Sequence, residues 1–295
     1  MRWELEGGDW PNRQHSRFLV AAGIRWHVQV AGEGPAVLLV HGTGASTHSW
    51  RDILPSLAHT HTVIAPDLPG HGFTQSVPAA RLSIDAIGGG LAGLLDVLGQ
   101  APAYAVGHSA GAAILCRMAL DGRVEPRRLI GINGAFMPFG GAAHALFAPG
   151  ARLLASSGLI AGMIARRAVD IRTVRRIVSG TGSRIDERGL EIYARLVREP
   201  SHVGAALGMM SRWDLQGLAR DMPRLRSPLT LVVGGGDRAV PPSQAHWVRG
   251  RLPAAEIALI PGFGHLVHEE APQRVLAVLA PLLSAPCARP RDGCD

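Results

Sequence analysis

Lysine is missing from this 295-residue chain, so all 30 of its basic residues are arginine. Two explanations stay open: codon bias in a GC-rich genome, or a surface that uses planar, permanently charged donors for carboxylates, phosphates or aromatic faces. Cysteine is scarce as well, and an odd, sparse set of three predicts no disulfide framework and suits a reducing compartment. Two of them, Cys287 and Cys294, lie in a Pro/Arg/Gly-rich tail, and two thiols do not make a metal site. We therefore expect neither a metal nor a cofactor.

Segments suited to a leader or a membrane span are also lacking. The opening residues, MRWELEGGDW, alternate charge with tryptophan and contain no apolar region. The longest apolar run, 153–165, is too short, because a bilayer span needs roughly 20 residues. A hydrophobic share of 47% with 18% charged residues still supports a packed core. We expect a cytoplasmic protein, with peripheral contact to the inner membrane as the alternative.

Short apolar runs rich in β-branched residues recur along the chain. Two alternating runs flank Gly23 and predict a β-hairpin. Continuous apolar runs follow, as expected of strands covered on both faces. They lie at 36–40 and near Val63, Val106, Ile130, Val232 and Leu259, with helical patterns at 46–57, 84–98 and 110–120 between them. This alternation predicts an α/β fold with a mostly parallel, doubly wound sheet.

One interval, 134–212, interrupts the alternation of strands and helices. It contains no strand-like run, and its pattern is helical, broken by glycine and proline. We predict that it is a helical cap inserted between two strands of the sheet. The domain prediction is therefore a core formed by 1–133 and 213–284, a cap at 134–212 and a disordered tail at 285–295.

The strongest functional signal is the sequence GHSAG at 107–111, which fits the pattern G-x-S-x-G. An apolar run precedes it and a helical pattern follows it, which is the strand–turn–helix context that this motif requires. Glycines are needed on both sides because the serine occupies a strained, tight turn. The motif predicts that Ser109 is a nucleophile.

A serine hydroxyl is a weak nucleophile at neutral pH and needs a base and a group that orients the base. Among 13 histidines, His265 is the preferred base, because it follows the last predicted strand in a glycine-flanked loop, whereas His268 belongs to the helix behind it. Asp237 follows the preceding strand and is the predicted acid. Asn133 holds the other suitable position, but its side chain is an amide. The chain order Ser109, Asp237, His265 is one that catalytic triads use.

The glycine-rich turn HGTG at 41–44 directly follows the strand-like run 36–40. Such a turn can direct a backbone N–H at a developing oxyanion, together with the N–H of the residue after the nucleophile. We predict that Thr43 and Ala110 supply these two donors, with Gly44 as the alternative to Thr43. A phosphate-binding loop is disfavoured, because no lysine follows the turn.

Four motifs occur in a fixed order: HGTG, PDLPGHG at 66–72, GHSAG, and finally GGGD with GFGH. In this order they resemble the α/β-hydrolase superfamily over nearly the whole chain. That superfamily contains esterases, lipases, thioesterases, C–C bond hydrolases, epoxide hydrolases and dehalogenases. The last two groups use an aspartate nucleophile, and Ser109 argues against both. The resemblance implies the α/β-hydrolase fold with a cap, and structural roles for Asp67 and His71.

A narrower resemblance rests on 25–58, on APDLPGHGFTQ at 65–75 and on INGAFMPFGG at 132–141. These stretches are similar to the magnesium-chelatase accessory proteins of bacteriochlorophyll biosynthesis, the BchO family. The resemblance implies a role in photosynthetic pigment synthesis, near magnesium insertion into protoporphyrin. It also implies magnesium-chelatase subunits as partners, and it leaves the reaction of the family unassigned.

The predicted cap carries most of the positive charge of the chain. Between residues 134 and 212, eleven arginines face five acidic residues, a balance of +6 out of +7 for the whole chain. An apolar, basic, helical cap suits a porphyrin with its carboxylates or another acidic apolar molecule. It suits an anionic membrane surface equally well, and a solvated arginine face is the third explanation. Nucleic acid is not expected, because no recognised binding motif accompanies the charge. The candidate substrate-binding residues are Phe136, Arg166, Arg167, Arg175 and Arg176.

Three functions of two kinds remain. The first is a serine hydrolase that cleaves an ester or thioester through Ser109, and an intact set of catalytic residues favours it. The second is a non-catalytic porphyrin-binding or chaperone protein on a hydrolase scaffold, because function lives in the site and not in the fold. A third alternative is an ester-cleaving enzyme unrelated to pigments.

Overall fold

A computed structural model describes residues 1–137 and 170–284 of the chain. The tail that we predict to be disordered lies outside the described residues. So do Arg166 and Arg167 of the predicted cap. Among the described residues, no helix is long and apolar enough to cross a membrane.

An eight-stranded sheet forms the centre of the molecule. Its strand order is β1-β2-β4-β3-β5-β6-β7-β8, with antiparallel pairing at β1–β2 and β2–β4 and parallel pairing in the rest of the sheet. This is the mostly parallel sheet that the alternating pattern predicts. The strands are β1 (Ser16–Ala21), β2 (Ile24–Ala31), β3 (Ala36–Val40), β4 (Thr62–Pro66), β5 (Tyr104–His108), β6 (Arg128–Ile132), β7 (Leu229–Gly234) and β8 (Glu256–Ile260).

Helices cover both faces of this sheet. In β3, Leu38 and Val40 contribute to one core cluster while Val37 and Leu39 contribute to the other, because successive side chains of a strand point to opposite faces. The described α-helices are α1 (Trp3–Glu6), α2 (Leu54–Leu57), α3 (Ile84–Leu98), α4 (Ala110–Leu120), α5 (Ile171–Gly180), α6 (Glu187–Arg198), α7 (Pro200–Ser211), α8 (Gln216–Asp221), α9 (Ser243–Arg251), α10 (Val267–Glu270) and α11 (Pro272–Ser284).

The helix expected at 46–57 is wrong as a single element. The structure has a 3₁₀ turn at Thr47–Trp50 and the short helix α2 at Leu54–Leu57. Pro55 explains the interruption: it has no N–H, so a continuous helix could not form the hydrogen bond from residue 55 back to Arg51. The hydrophobic pattern in this segment is real, since Trp50, Ile53 and Leu54 are fully buried.

The described part of the predicted cap, residues 170–212, is called the cap segment below. It contains α5, α6 and α7, and no strand lies in these residues. Its helices bury a small cluster that includes Val174, Leu190 and Leu266 of the core. The cap segment therefore packs directly on the loop that follows β8.

Candidate active site

Five loops converge at one edge of the sheet. Gly42 follows β3, Ser109 follows β5, Asn133 follows β6, Asp237 follows β7 and His265 follows β8. These strands are parallel, so their carboxyl ends meet at the same edge, where α/β proteins place their ligands. The three predicted catalytic residues and the predicted oxyanion loop thus lie at a common edge.

Ser109 occupies the sharp turn between β5 and α4. Its backbone has φ 50° and ψ −116°, a conformation that L-residues rarely adopt. A Cβ atom at Gly111 would overlap the carbonyl oxygen of Val40, and one at Gly107 would overlap the backbone of Ala112. Glycine on both sides is therefore required to bring the serine this close to the end of β3.

Asp237 and His265 form a direct side-chain pair. The Asp237 Oδ2 atom lies 2.7 Å from His265 Nδ1. The other carboxylate oxygen accepts the backbone N–H groups of Ala239 and Val240, each at 2.8 Å. Because Nδ1 faces a carboxylate, we assign the ring proton to Nδ1, which leaves Nε2 as the basic atom. Within 1–137 and 170–284, no hydrogen bond joins this Nε2 to Ser109 Oγ, a contact that often forms only with substrate bound.

Two side chains join the serine turn to the histidine loop. His108 Nε2 and Asn133 Nδ2 both donate to the carbonyl oxygen of His265, at 2.9 and 2.8 Å. Asn133 also donates to Gly264 O and accepts the N–H of Gly234 through Oδ1. In the sequence, Asn133 stands at the second position suited to an orienting acid, and its amide side chain excludes that role. Its amide instead fixes the backbone of the base loop, a role that needs a donor and an acceptor together.

The HGTG turn lies directly against the serine. A Cβ atom at Gly42 would lie 3.1 Å from Ser109 Cβ. His41 Nδ1 donates to the Gly42 carbonyl at 2.8 Å, and the backbone N–H of Ala45 donates to the same oxygen at 3.2 Å. In a trans peptide the next N–H points opposite to this carbonyl, so holding Gly42 O also orients the N–H of Thr43. Among the described residues, the N–H groups of Thr43 and Ala110 have no acceptor.

His202 connects the cap segment to this turn. Its Nε2 atom donates to Gly44 O at 3.0 Å, and its Nδ1 accepts the N–H of Gly72 at 3.2 Å. Burial lowers the pKa of His202 to about 4, and the contact with Gly44 opposes the shift only in part. The imidazole is therefore neutral at pH 7 and uses one donor and one acceptor.

This lowered pKa predicts a loss of stability in acid. Between the ordinary value of 6.5 and about 4, the unfolded chain binds a proton at His202 that the folded chain does not bind. Stability therefore falls as pH drops through this window, by about 3 kcal/mol in total from this one residue. Urea denaturation at pH 7.5 and pH 4.5 measures the fall. His202→Gln keeps a donor and an acceptor without titrating, so the fall should be smaller; an equal fall in both proteins contradicts the assignment.

A second Asp–His–Ser arrangement lies on the β1–β2–β4 side of the sheet, where Asp67 directly follows β4. Asp67 Oδ2 lies 2.7 Å from His27 Nδ1, and His27 Nε2 lies 2.9 Å from Ser16 Oγ. Burial alone would raise the pKa of Asp67, but the charge and hydrogen bond of His27 keep it well below its usual range. Phe73 and Trp3 contact the His27 ring. The two oxygens of Asp67 also accept the backbone N–H groups of Thr47 and Phe73. The Asp67–His27 pair therefore fixes loops, as expected for the PDLPGHG segment.

The predicted substrate-binding residues lie in different surroundings. Phe136 is 1% exposed and belongs to the main core cluster, against Gly131 and Gly134. Arg175 is half exposed and pairs with Glu187 at 2.5 Å, and Arg176 is exposed. No group of three or more metal-binding side chains occurs in the described part of the chain.

Comparisons with known proteins agree with this architecture. A sequence model of the Alpha/beta hydrolase family matches residues 37–278. The chain is 38% identical over 265 residues to the magnesium-chelatase 30 kDa subunit of Rhodobacter capsulatus, covering 89% of this chain and 92% of that protein. A thermophilic esterase from Thermogutta terrifontis is 26% identical with a TM-score of 0.69, over 91% of this chain and 97% of the esterase. The epoxide hydrolase CorEH has the same fold, with a TM-score of 0.76 at 22% identity over 90% of this chain and 99% of that one.

Proposed function

Since the chain belongs to the α/β-hydrolase family, we propose that it is a serine hydrolase of esters or thioesters that acts beside magnesium insertion into a porphyrin. The observation that carries the proposal is the 2.7 Å pair of Asp237 and His265 at the same sheet edge as Ser109. An activated serine needs this combination of nucleophile, base and orienting acid. The chelatase connection rests on the relative named magnesium-chelatase 30 kDa subunit.

In the proposed mechanism, Ser109 Oγ attacks the carbonyl carbon while His265 Nε2 takes its proton. Asp237 holds the imidazole and stabilises its charged form. The N–H groups of Thr43 and Ala110 donate to the oxyanion of the tetrahedral intermediate. His265 then protonates the leaving alcohol or thiol, and water releases the acyl group from Ser109 by the same route.

Turnover of p-nitrophenyl esters and acyl thioesters of graded chain length tests the activity. We expect turnover that saturates with substrate concentration, with a preference among the acyl groups. Rates equal to those in buffer across both series would contradict a hydrolase.

A second candidate function is non-catalytic binding of porphyrin, and the name of the Rhodobacter capsulatus relative favours it. The proposed contact is between porphyrin carboxylates and basic residues of the cap, with peripheral membrane contact as the competing use of the same charge. Arg175 and Arg176 are the described candidates. Charge attraction at such an exposed surface is screened by salt.

Titration of the protein with protoporphyrin at low salt tests this second candidate. Reversing both charges, Arg175→Glu with Arg176→Glu, should weaken porphyrin binding about tenfold, equivalent to about 1.4 kcal/mol. The matched control reverses the charges of Arg226 and Arg274, which are exposed and lie outside the predicted cap. This control variant should bind porphyrin with wild-type affinity. If both double variants bind porphyrin equally well, Arg175 and Arg176 are not part of a porphyrin site. If Arg175→Glu with Arg176→Glu loses only its binding to anionic vesicles, these arginines contact a membrane instead.

A further inference from the structure

A turn of the cap segment, Thr181–Arg184, hydrogen-bonds to both loops of the candidate active site. The carbonyl oxygen of Thr181 accepts the N–H of Arg238, next to Asp237, at 3.0 Å. The same oxygen accepts the N–H of His265 at 3.4 Å. One cap carbonyl therefore connects the loop of the acid with the loop of the base.

Ser183 makes the next connection. Its side chain is fully buried, and its Oγ accepts the N–H of Leu266 at 2.8 Å. Glu270 adds a bridge, since its two oxygens accept the N–H groups of Gly264 and Arg184, each at 2.9 Å. The turn and this carboxylate thus hold three consecutive N–H groups of the base loop.

The fit between the turn and these loops leaves no space for larger residues. Gly182 has φ 87°, and a Cβ atom there would overlap the carbonyl oxygen of Gly236. A Cβ atom at Gly264 would overlap the backbone of Gly182. Backbone contact of this kind transmits any displacement of the turn to the histidine loop.

The turn completes a set of contacts that the core supplies only in part. His108 and Asn133 hold the carbonyl oxygen of His265 from the core. Thr181 and Ser183 hold the N–H groups of His265 and Leu266 from the cap. The backbone that carries the imidazole is therefore fixed from two sides, and one side belongs to the cap.

We propose that Ser183 is a positioning residue for His265, so that this turn of the cap segment is part of the catalytic framework. This inference rests on the proposed function, because it assumes that His265 acts as the base. Ser183→Ala leaves the buried N–H of Leu266 without an acceptor, and this cost destabilises the present position of the loop relative to displaced positions. A displacement of about 1 Å at a catalytic group can slow the reaction about 100-fold.

Labelling by a fluorophosphonate probe separates positioning from folding. The rate constant of labelling reports the reactivity of the serine, and the labelled end point reports the fraction of competent protein. In Ser183→Ala we expect the rate constant to fall between about 10- and 100-fold, with the end point unchanged. Ser83→Ala is the control: it removes the N-cap of α3, a hydrogen bond to the N–H of Ala86 that involves neither loop, and should change the thermal stability alone.

Glu270→Gln provides a second variant in case Ser183→Ala fails to fold. It keeps the shape of the side chain but turns one acceptor into a donor that faces a backbone N–H. We expect slower labelling here too, at an unchanged end point. If the wild-type protein is labelled and both variants react at its rate, the positioning role is wrong. If the wild-type protein is not labelled, the proposed function fails instead.

Discussion

Ser109→Ala should lower kcat for ester hydrolysis by about 10⁶-fold, a loss that removal of the base would also cause. The hydroxyl oxygen is the atom that attacks the carbonyl, and a methyl group cannot replace it. The oxyanion donors belong to the backbone and stay in place, so a residual rate of roughly 10³-fold over water is expected. Steady-state assays with the most reactive p-nitrophenyl ester measure the change.

Ser16→Ala is the matched control for this variant. Ser16 also hydrogen-bonds to a histidine that pairs with an aspartate, through His27 and Asp67. It lies in the edge strand β1, and β2, β4 and β3 separate it from β5, which precedes Ser109. We expect kcat of Ser16→Ala to equal that of the wild-type protein. A large loss in Ser16→Ala, with activity retained in Ser109→Ala, would move the reaction to the other serine.

Asp237→Asn should lower kcat by about 10⁴-fold while KM changes little. The amide can present its NH₂ group to His265 Nδ1, which favours the tautomer with the proton on Nε2 and removes the base. Its oxygen can still accept the N–H groups of Ala239 and Val240, so the loop should keep its conformation. Steady-state kinetics measures the fall in kcat, and thermal unfolding of the same preparation shows whether the loop keeps its conformation.

Wild-type activity in Asp237→Asn would show that His265 needs no carboxylate, and the 2.7 Å contact would then be structural. Loss of activity together with a large loss of thermal stability would assign Asp237 to folding of the loop.

The sheet could be predicted from the sequence because its signals are local. The inner parallel strands carry apolar runs, as in β3, whose residues are all buried, whereas the edge strand β8 is partly exposed. The turn at Ser109 was predictable because only glycines on either side allow it. The segment 46–57 shows the limit of such patterns. Its hydrophobic spacing predicts one helix, but Pro55 divides the segment into a 3₁₀ turn and a short helix.

The residues that hold the candidate site together could not be predicted in the same way. Asn133 contacts His265, His202 contacts Gly44, and Ser183 contacts Leu266. Each pair is distant in sequence, and its partner is a backbone group, which leaves no mark in the residue types. The ion pair of buried Arg51 with Glu269 of α10, at 2.5 Å, could not be predicted either. The two residues are distant in sequence, and no charge pattern indicates the pair.

The proposed role beside a chelatase can be tested separately from the proposed chemistry in cells. A strain that lacks the native protein and receives Ser109→Ala should fail to restore pigment synthesis if the hydrolase activity is used. Full rescue by Ser109→Ala would favour the porphyrin-binding alternative, even if Ser109 reacts in the purified protein. A restored Ser109 codon in the same vector is the control for expression.

Fluorophosphonate labelling of the purified protein, with the modified peptide identified by mass spectrometry, tests the central claim most directly. We predict one phosphonyl group per chain on Ser109, retained in Ser16→Ala and lost in Ser109→Ala. Absence of labelling in the wild-type protein, or labelling that persists in Ser109→Ala, would contradict an activated serine at this position.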